Sequence, residues 1–179
     1  MPFAKVLRHV IIPLSFTPGF DMIRPSLLAA FCLATPLAAE QDLRPDLGVC
    51  QNIPFSQQNC VRVVGCIGDQ GLQIDGRARG WDRGTVFGEM SDFTQCQGTW
   101  DSDGPLGTGI AHLTCTDGTT MDVIYYNQDN ITGTVIGRGQ DSLGRQIQVW
   151  SGENVLDFLT PDGSDIAYLP CASGDIPIS

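Results

Sequence analysis

The sequence predicts an all-β protein: a small antiparallel meander of about eight short strands, closed into a barrel or folded into a sandwich and held by three disulfides. Three observations carry that expectation. Runs of β-branched and aromatic residues recur at roughly ten-residue spacing, with Gly, Asp and Asn turn signals between them. The 21 Gly and 11 Pro in 179 residues argue for many turns and against long helices. Once a leader is set aside, six cysteines remain, an even number that reads as a disulfide framework.

The leader is read first because it sets the compartment. Ser26 to Ala39 is an apolar run preceded by Arg24, ending in small residues and followed by Glu40-Gln41-Asp42. This is the layout of a cleavable signal peptide, with residues 1–39 removed and Cys32 discarded with them. Residues 1–21 read either as an over-extended start before Met22 or as a long charged leader. The remaining cysteines are Cys50, Cys60, Cys66, Cys96, Cys115 and Cys171, and no C-x-x-C pair of the metal-binding kind stands among them. Disulfides of this density belong to an oxidising compartment, so the expected location is secreted or periplasmic. From Glu40 onward the chain keeps seven arginines and no lysine against nineteen carboxylates, a formal charge of −12. Such a surface repels nucleic acid, and the mature form carries no apolar run long enough for a membrane span.

Residues 40–59 form a polar lead-in punctuated by Pro45 and Pro54, pinned by Cys50, with a short helix expected around Gln57. The single β domain then covers 60–171, and 172–179 is expected to fray. Cys60 to Ile67 is the first strand. Cys60 and Cys66 share a face, but six residues of strand span about 20 Å and a disulfide needs Cα atoms about 5.5 Å apart, so they reach different partners. Gly71 to Trp81 alternates through Leu72 and Ile74, with a bulge expected at its glycines. Gly84 to Gly88 and Phe93 to Trp100 follow, and their Gly-Thr-Val-apolar-Gly start and Trp end recur in Gly133 to Gly137 and Gln146 to Trp150 as a two-copy hairpin repeat.

Between the copies lies the plainest hairpin. Gly109 to Thr116 and Thr119 to Tyr126 meet at Asp117-Gly118, a dipeptide suited to a two-residue type I′ turn. That turn sets His112 opposite Val123 and Ile110 opposite Tyr125, with Ile110, His112, Thr114, Met121, Val123 and Tyr125 on the more apolar face. Cys96 and Cys115, near the ends of consecutive strands, are the best-placed cysteine pair. Val155 to Leu159 reads as a last strand, and Ile166 to Leu169 as an edge strand or docking segment. Trp81, Trp100, Trp150, Phe87 and Tyr125 are expected to supply much of the core.

Chemistry is sparse. His112 is the one histidine of the mature chain, and no Gly-Asp-Ser-Gly nucleophile segment accompanies it, so packing is its expected role. Asp101-Ser102-Asp103-Gly104 resembles part of a calcium loop, but Thr99 and Ile110 stand where its first and last ligands belong. Asp101 and Asp103 are therefore turn residues first and metal candidates second. Arg77, Arg79 and Arg83 form the local basic cluster, suited to salt bridges with nearby aspartates or to a carboxylate ligand. A carboxylate-dependent hydrolase would draw on Asp75, Asp82, Glu89, Asp122 or Asp157, whose separation decides that chemistry. Asn130-Ile131-Thr132 is a glycosylation sequon, meaningful in a eukaryotic host. No cofactor is expected.

Cys-Gln-Gly-Thr-Trp (96–100), Leu-Thr-Cys-Thr-Asp-Gly (113–118) and Gly-Arg-Gly-Gln-Asp-Ser-Leu-Gly-Arg (137–145), after a cleavable signal, resemble small secreted β proteins of Gram-negative bacteria that mostly lack assigned function. The resemblance covers about residues 60–158. It implies a β-meander and an envelope location and carries no active residues with it. The expected activity is binding, of an envelope protein, a glycan or a small ligand in a barrel mouth. Inhibition of a secreted hydrolase is one specific form of it, and carboxylate-dependent hydrolysis is the enzymatic alternative.

Overall fold

The structure is a computed structural model that describes residues 49–179. The expected signal peptide at 1–39 and the first part of the lead-in lie outside the described residues. Eight strands form a closed barrel in which each pairs antiparallel with the next and the last returns to the first. They are β1 (Cys60–Ile67), β2 (Leu72–Trp81), β3 (Arg83–Met90), β4 (Gln95–Asp101), β5 (Gly109–Cys115), β6 (Thr120–Gln128), β7 (Val135–Asp141) and β8 (Gln146–Gly152). The barrel is thus the realised one of the two architectures expected. Closure leaves none of the eight strands with a free edge, which matters for a chain with so few charges per strand.

Alternation along each strand sorts the side chains. Val63, Ile67, Ile74, Val86, Leu113, Met121, Val123, Ile147 and Val149 point inward and form one buried cluster. Each fully buried aliphatic contributes roughly 1.5–3 kcal/mol. The outward positions carry Arg62, Asp75, Arg77, Glu89, Asp122 and Arg138, charges where a membrane-spanning barrel presents an apolar band. Among the described residues no helix is long and apolar enough to cross a membrane. The barrel interior is aliphatic, and of the five aromatics expected in the core only Trp150 is fully buried, in a cluster outside the barrel. Phe87 lies on the outer wall opposite Arg77, Trp81 is half-buried, and Trp100 and Tyr125 pack only partly against the inner cluster.

Glycine lets so narrow a barrel coil. A Cβ on Gly98 would stand 1.8 Å from the His112 carbonyl oxygen, and one on Gly139 would stand 1.9 Å from that of Asp122. Neighbouring backbones approach there more closely than any side chain permits.

A second buried cluster lies outside the barrel. Val64, Cys66 and Trp150 face outward from β1 and β8 and are covered by α1 (Val155–Leu159) and the hairpin of β9 (Ala167–Cys171) with β10 (Gly174–Ile178). Two expectations are corrected here. Val155–Leu159 is a helix, because Val155 and Leu159, four apart, both bury onto Trp150 and its neighbours. The tail at 172–179 does not fray: Ile176 and Ile178 pack against the same cluster, and the Cys66–Cys171 disulfide ties the hairpin to β1. The other disulfides are Cys50–Cys60 and the expected Cys96–Cys115. The bulge expected in β2 falls instead in β6, at Tyr125 to Asn127, while β2 pairs without interruption on both sides. The two copies of the internal repeat are the β3–β4 and β7–β8 hairpins, with Trp100 turned inward and Trp150 outward. No helix forms around Gln57, where the lead-in makes tight turns.

The Asp117-Gly118 hairpin also differs from expectation, by one residue of register. Thr114 pairs with Thr120, His112 with Asp122 and Ile110 with Ile124. The loop has three residues rather than two. Gly118 at φ 85° donates to the Cys115 carbonyl, and the Cys115 N–H reaches the Thr119 carbonyl. Asp117 completes the loop by accepting from the Thr119 backbone N–H (2.9 Å) and hydroxyl (2.8 Å). A one-residue slip exchanges the faces. Ala111, Leu113, Cys115, Met121 and Val123 are therefore inside, and Ile110, His112 and Thr114 leave the inner face.

Candidate functional site

The two ends of the barrel differ. Cys96–Cys115 crosses one end beside Met90 and Met121, and Asp141, its side chain wholly buried, accepts from the backbone N–H groups of Leu143 and Arg145 (both 2.9 Å) and from Arg145 Nε (2.5 Å). The other end, where β2, β4, β6 and β8 finish, opens into a cleft of about 630 Å³. Its depth is lined by inward-facing Val61, Ala78, Trp100, Tyr125, Val135 and Ser151.

Local sequence explains why this end stays open. Gly80, Gly109 and Gly152 all border the cleft, so the rings of Trp100 and Tyr125 stand beside positions without side chains. Trp100 is held from the side, its indole N–H donating to the Arg79 carbonyl at 3.1 Å. The β6 bulge after Tyr125 re-aims the strand end, so that Tyr126 reaches the rim and Gln128 pairs with Val135 facing in. Burial pushes the Tyr125 phenol above its ordinary value, so it remains a neutral hydrogen-bonding group into the alkaline range.

Three loops supply much of the rim, with Asp82 of the β2–β3 turn and Glu153 after β8 beside them. The lead-in is fixed by Cys50–Cys60 and by buried Asn59, whose Nδ2 donates to the Gly80 carbonyl (3.1 Å) while its Oδ1 accepts from the Ile53 N–H (2.9 Å). Asn52, on the same segment, donates to Glu153. Phe55 of this lead-in packs against Trp81 with ring centroids 4.8 Å apart and the ring planes tilted by 44°. The β6–β7 loop is closed by Asp129, which accepts from the Thr132 hydroxyl and backbone N–H, both at 2.7 Å. Those two bonds, the hydroxyl first, hold the Asp129 carboxyl below its usual range. The β4–β5 loop is the third, with Asp101 accepting from the Asp103 N–H at 2.8 Å. Apolar tips crown the same end: Leu106, Ile131 and Phe55 are almost fully exposed, and Tyr126 is half so.

The residues singled out from sequence fall mostly elsewhere. Arg77, Arg79 and Arg83 lie on the outer wall of β2 and β3. Asp75 joins Arg77 (2.7 Å) and Arg62 (2.5 Å) in a small network, while Arg79 and Arg83 are exposed. His112 stands on the outer wall with Nδ1 2.5 Å from Asp122 Oδ1, not beside Val123, because of the register slip. Among the described residues no three His, Cys, Asp or Glu come together as a metal site, and Asp101 and Asp103 form a turn. Of the carboxylates considered for hydrolysis, Asp75, Glu89 and Asp122 occupy the outer wall and Asp157 sits on α1; Asp82 alone reaches the cleft. What sequence reasoning missed is Trp100 and Tyr125 as cavity walls rather than core. Their inward parity was readable, but the void beside them depends on which strands close the barrel.

No family model matches the chain, and no curated protein matches it. Among solved structures, a de novo designed fluorescence-activating β-barrel is similar at a TM-score of 0.44, with 15% identity over 58% of this chain and 95% of the designed one. So distant a likeness carries no functional argument.

Proposed function

We propose that this protein is a secreted or periplasmic, disulfide-stabilised binding domain whose ligand enters the open end of the barrel. The observation that carries the reading is the asymmetry of the ends: one is crossed by a disulfide and keeps a recess of about 330 Å³, the other holds a cleft of about 630 Å³ walled by Trp100 and Tyr125. That volume falls in the range of small-molecule sites, which combine apolar and aromatic walls with a few polar groups. Native mass spectrometry of the intact disulfide-bonded protein, isolated from its own source, tests it. A bound small molecule released on denaturation, and lost in a Trp100→Ala variant, is the expected result. Ligand retained equally by that variant would move the site elsewhere. Export is tested separately by amino-terminal sequencing of the extracytoplasmic protein, with Glu40 expected first.

Inhibition of a secreted hydrolase is a second reading favoured by one observation, the exposed tips Leu106 and Ile131 carried on loops at the rim. Rigid apolar loop tips suit insertion into an enzyme cleft. It predicts a stable complex with a hydrolase and loss of that complex in Leu106→Asp. Undiminished activity across a broad panel of secreted hydrolases would remove it.

A further inference from the structure

The lining of the cleft is chemically one-sided. Among the described residues it contains four aromatic side chains, Trp81, Trp100, Tyr125 and Tyr126, and three carboxylates, Asp82, Asp101 and Glu153, but no Lys, Arg or His. Among the described residues the neighbouring arginines stay outside the lining: Arg77 is held by Asp75, Arg79 projects from the outward face of β2, and Arg83, the cross-strand partner of Asp101, is exposed beside the mouth. The cleft therefore lacks the partner an anionic ligand needs. Its apolar depth at Val61, Ala78 and Val135 accepts hydrocarbon, and the faces of aromatic rings attract cations through their quadrupole.

From this lining, and resting on the small-ligand reading above, we infer that the cleft selects organic cations: an amine or quaternary ammonium group attached to a compact apolar body. The body occupies the inward-facing depth beside Trp100 and Tyr125, and the cationic group stays at the rim, among Asp82, Asp101 and Glu153. Partial desolvation there strengthens attraction beyond its value in water, while the rim stays wet enough to avoid the cost of burying an unpaired charge. Two of the three carboxylates already keep fixed positions. Asp101 accepts from the Asp103 N–H and Glu153 from Asn52, so little ordering remains for the ligand to impose.

Three probes with nearly the same body separate the alternatives: 2-phenylethylamine, 2-phenylethanol and phenylacetate, cationic, neutral and anionic at pH 7. Each is titrated into the disulfide-bonded full chain and followed by the indole N–H resonances. Trp100 and Trp81 report on the cleft, and Trp150, buried under the outer cluster, is an internal control for fold. The expected order is amine, then alcohol, then acid. The amine binds about tenfold tighter than the alcohol at low salt. The preference shrinks as ionic strength rises, and Asp101→Asn with Glu153→Gln reduces it severalfold while leaving the alcohol's affinity and the Trp150 resonance in place. If the alcohol or the acid shifts Trp100 at least as tightly as the amine, the cation assignment is overturned and the cleft remains a ligand site. If none of the three shifts Trp100 or Trp81, the small-ligand reading falls together with it.

Discussion

Replacing both Cys66 and Cys171 by alanine removes the cross-link that closes the longest loop in the domain. The two residues are 105 apart in sequence, against 19 for Cys96–Cys115 and 10 for Cys50–Cys60. In the chain-entropy account, the three bonds stabilise the fold by about 4.8, 3.2 and 2.7 kcal/mol respectively at 25 °C. Loss of Cys66–Cys171 is thus expected to cost about 2 kcal/mol more than loss of Cys50–Cys60. The structure adds to the first figure. A two-stranded hairpin is marginal alone, and β9–β10 would then stay on the barrel only through Leu169, Ala167, Ile176 and Ile178 packing on Val64 and Trp150. Cys66 is itself 4% exposed within that apolar cluster, so alanine also leaves a small void. The assay is urea unfolding followed by tryptophan fluorescence, with the Cys50→Ala/Cys60→Ala double variant alongside. The midpoint of the 66/171 variant should fall well below that of the 50/60 variant, corresponding to a melting temperature lower by about 8 °C. Equal midpoints, or the reverse order, would refute loop closure as the main source of stabilisation and point to local packing around each bond.

Three further outcomes are expected. Gly98→Ala puts a Cβ 1.8 Å from the His112 carbonyl and should destabilise by about 3 kcal/mol or more, whereas Gly118→Ala meets nothing within 4 Å and costs only its positive φ, about 1–2 kcal/mol; thermal melts of the two variants compare them. Asp117 has its carboxyl held below its ordinary value by the Thr119 backbone N–H first and its hydroxyl second. A depressed folded-state value means that its contribution is complete above the unfolded value and is lost as pH falls through the folded one, so Asp117→Asn should flatten the acid limb of the stability curve below about pH 4. An unchanged acid limb would remove Asp117 from the account. Tyr125 shifts the opposite way: its phenol, raised by burial from 10.0, should stay neutral in an ultraviolet alkaline titration after ordinary tyrosines ionise, and stability should decline as pH rises beyond that value. Loss of the late-titrating phenol in Tyr125→Phe checks the assignment.

Much of the fold was legible because its determinants are local. Tight turns between β-prone runs leave each strand only its sequence neighbour to pair with, so the meander order followed from loop length. Cys96 and Cys115 could be paired because consecutive strands bring their ends together. The register of the central hairpin was not legible: Asp117-Gly118 suits a two-residue turn as well as a three-residue loop, and the difference is decided by Asp117 capturing Thr119 and by Leu113 and Val123 burying while His112 does not. The candidate site fared worse for a similar reason. Arg77 and His112 were conspicuous as rare residue types, yet both strand positions face outward, where Asp75 and Asp122 meet them.

Composition, turn spacing and cysteine count alone determined that this is an all-β, disulfide-bonded meander, since each rests on properties of a residue or its near neighbours. Closure of β8 onto β1, the helix at Val155–Leu159, the docking of β9–β10 over Trp150, and the open end beside Trp100 and Tyr125 were decided by the tertiary structure. Each depends on what a segment finds to bury against. A five-residue apolar run becomes helix or strand according to the surface it meets, and a cleft exists only where eight strand ends converge without filling the space between them.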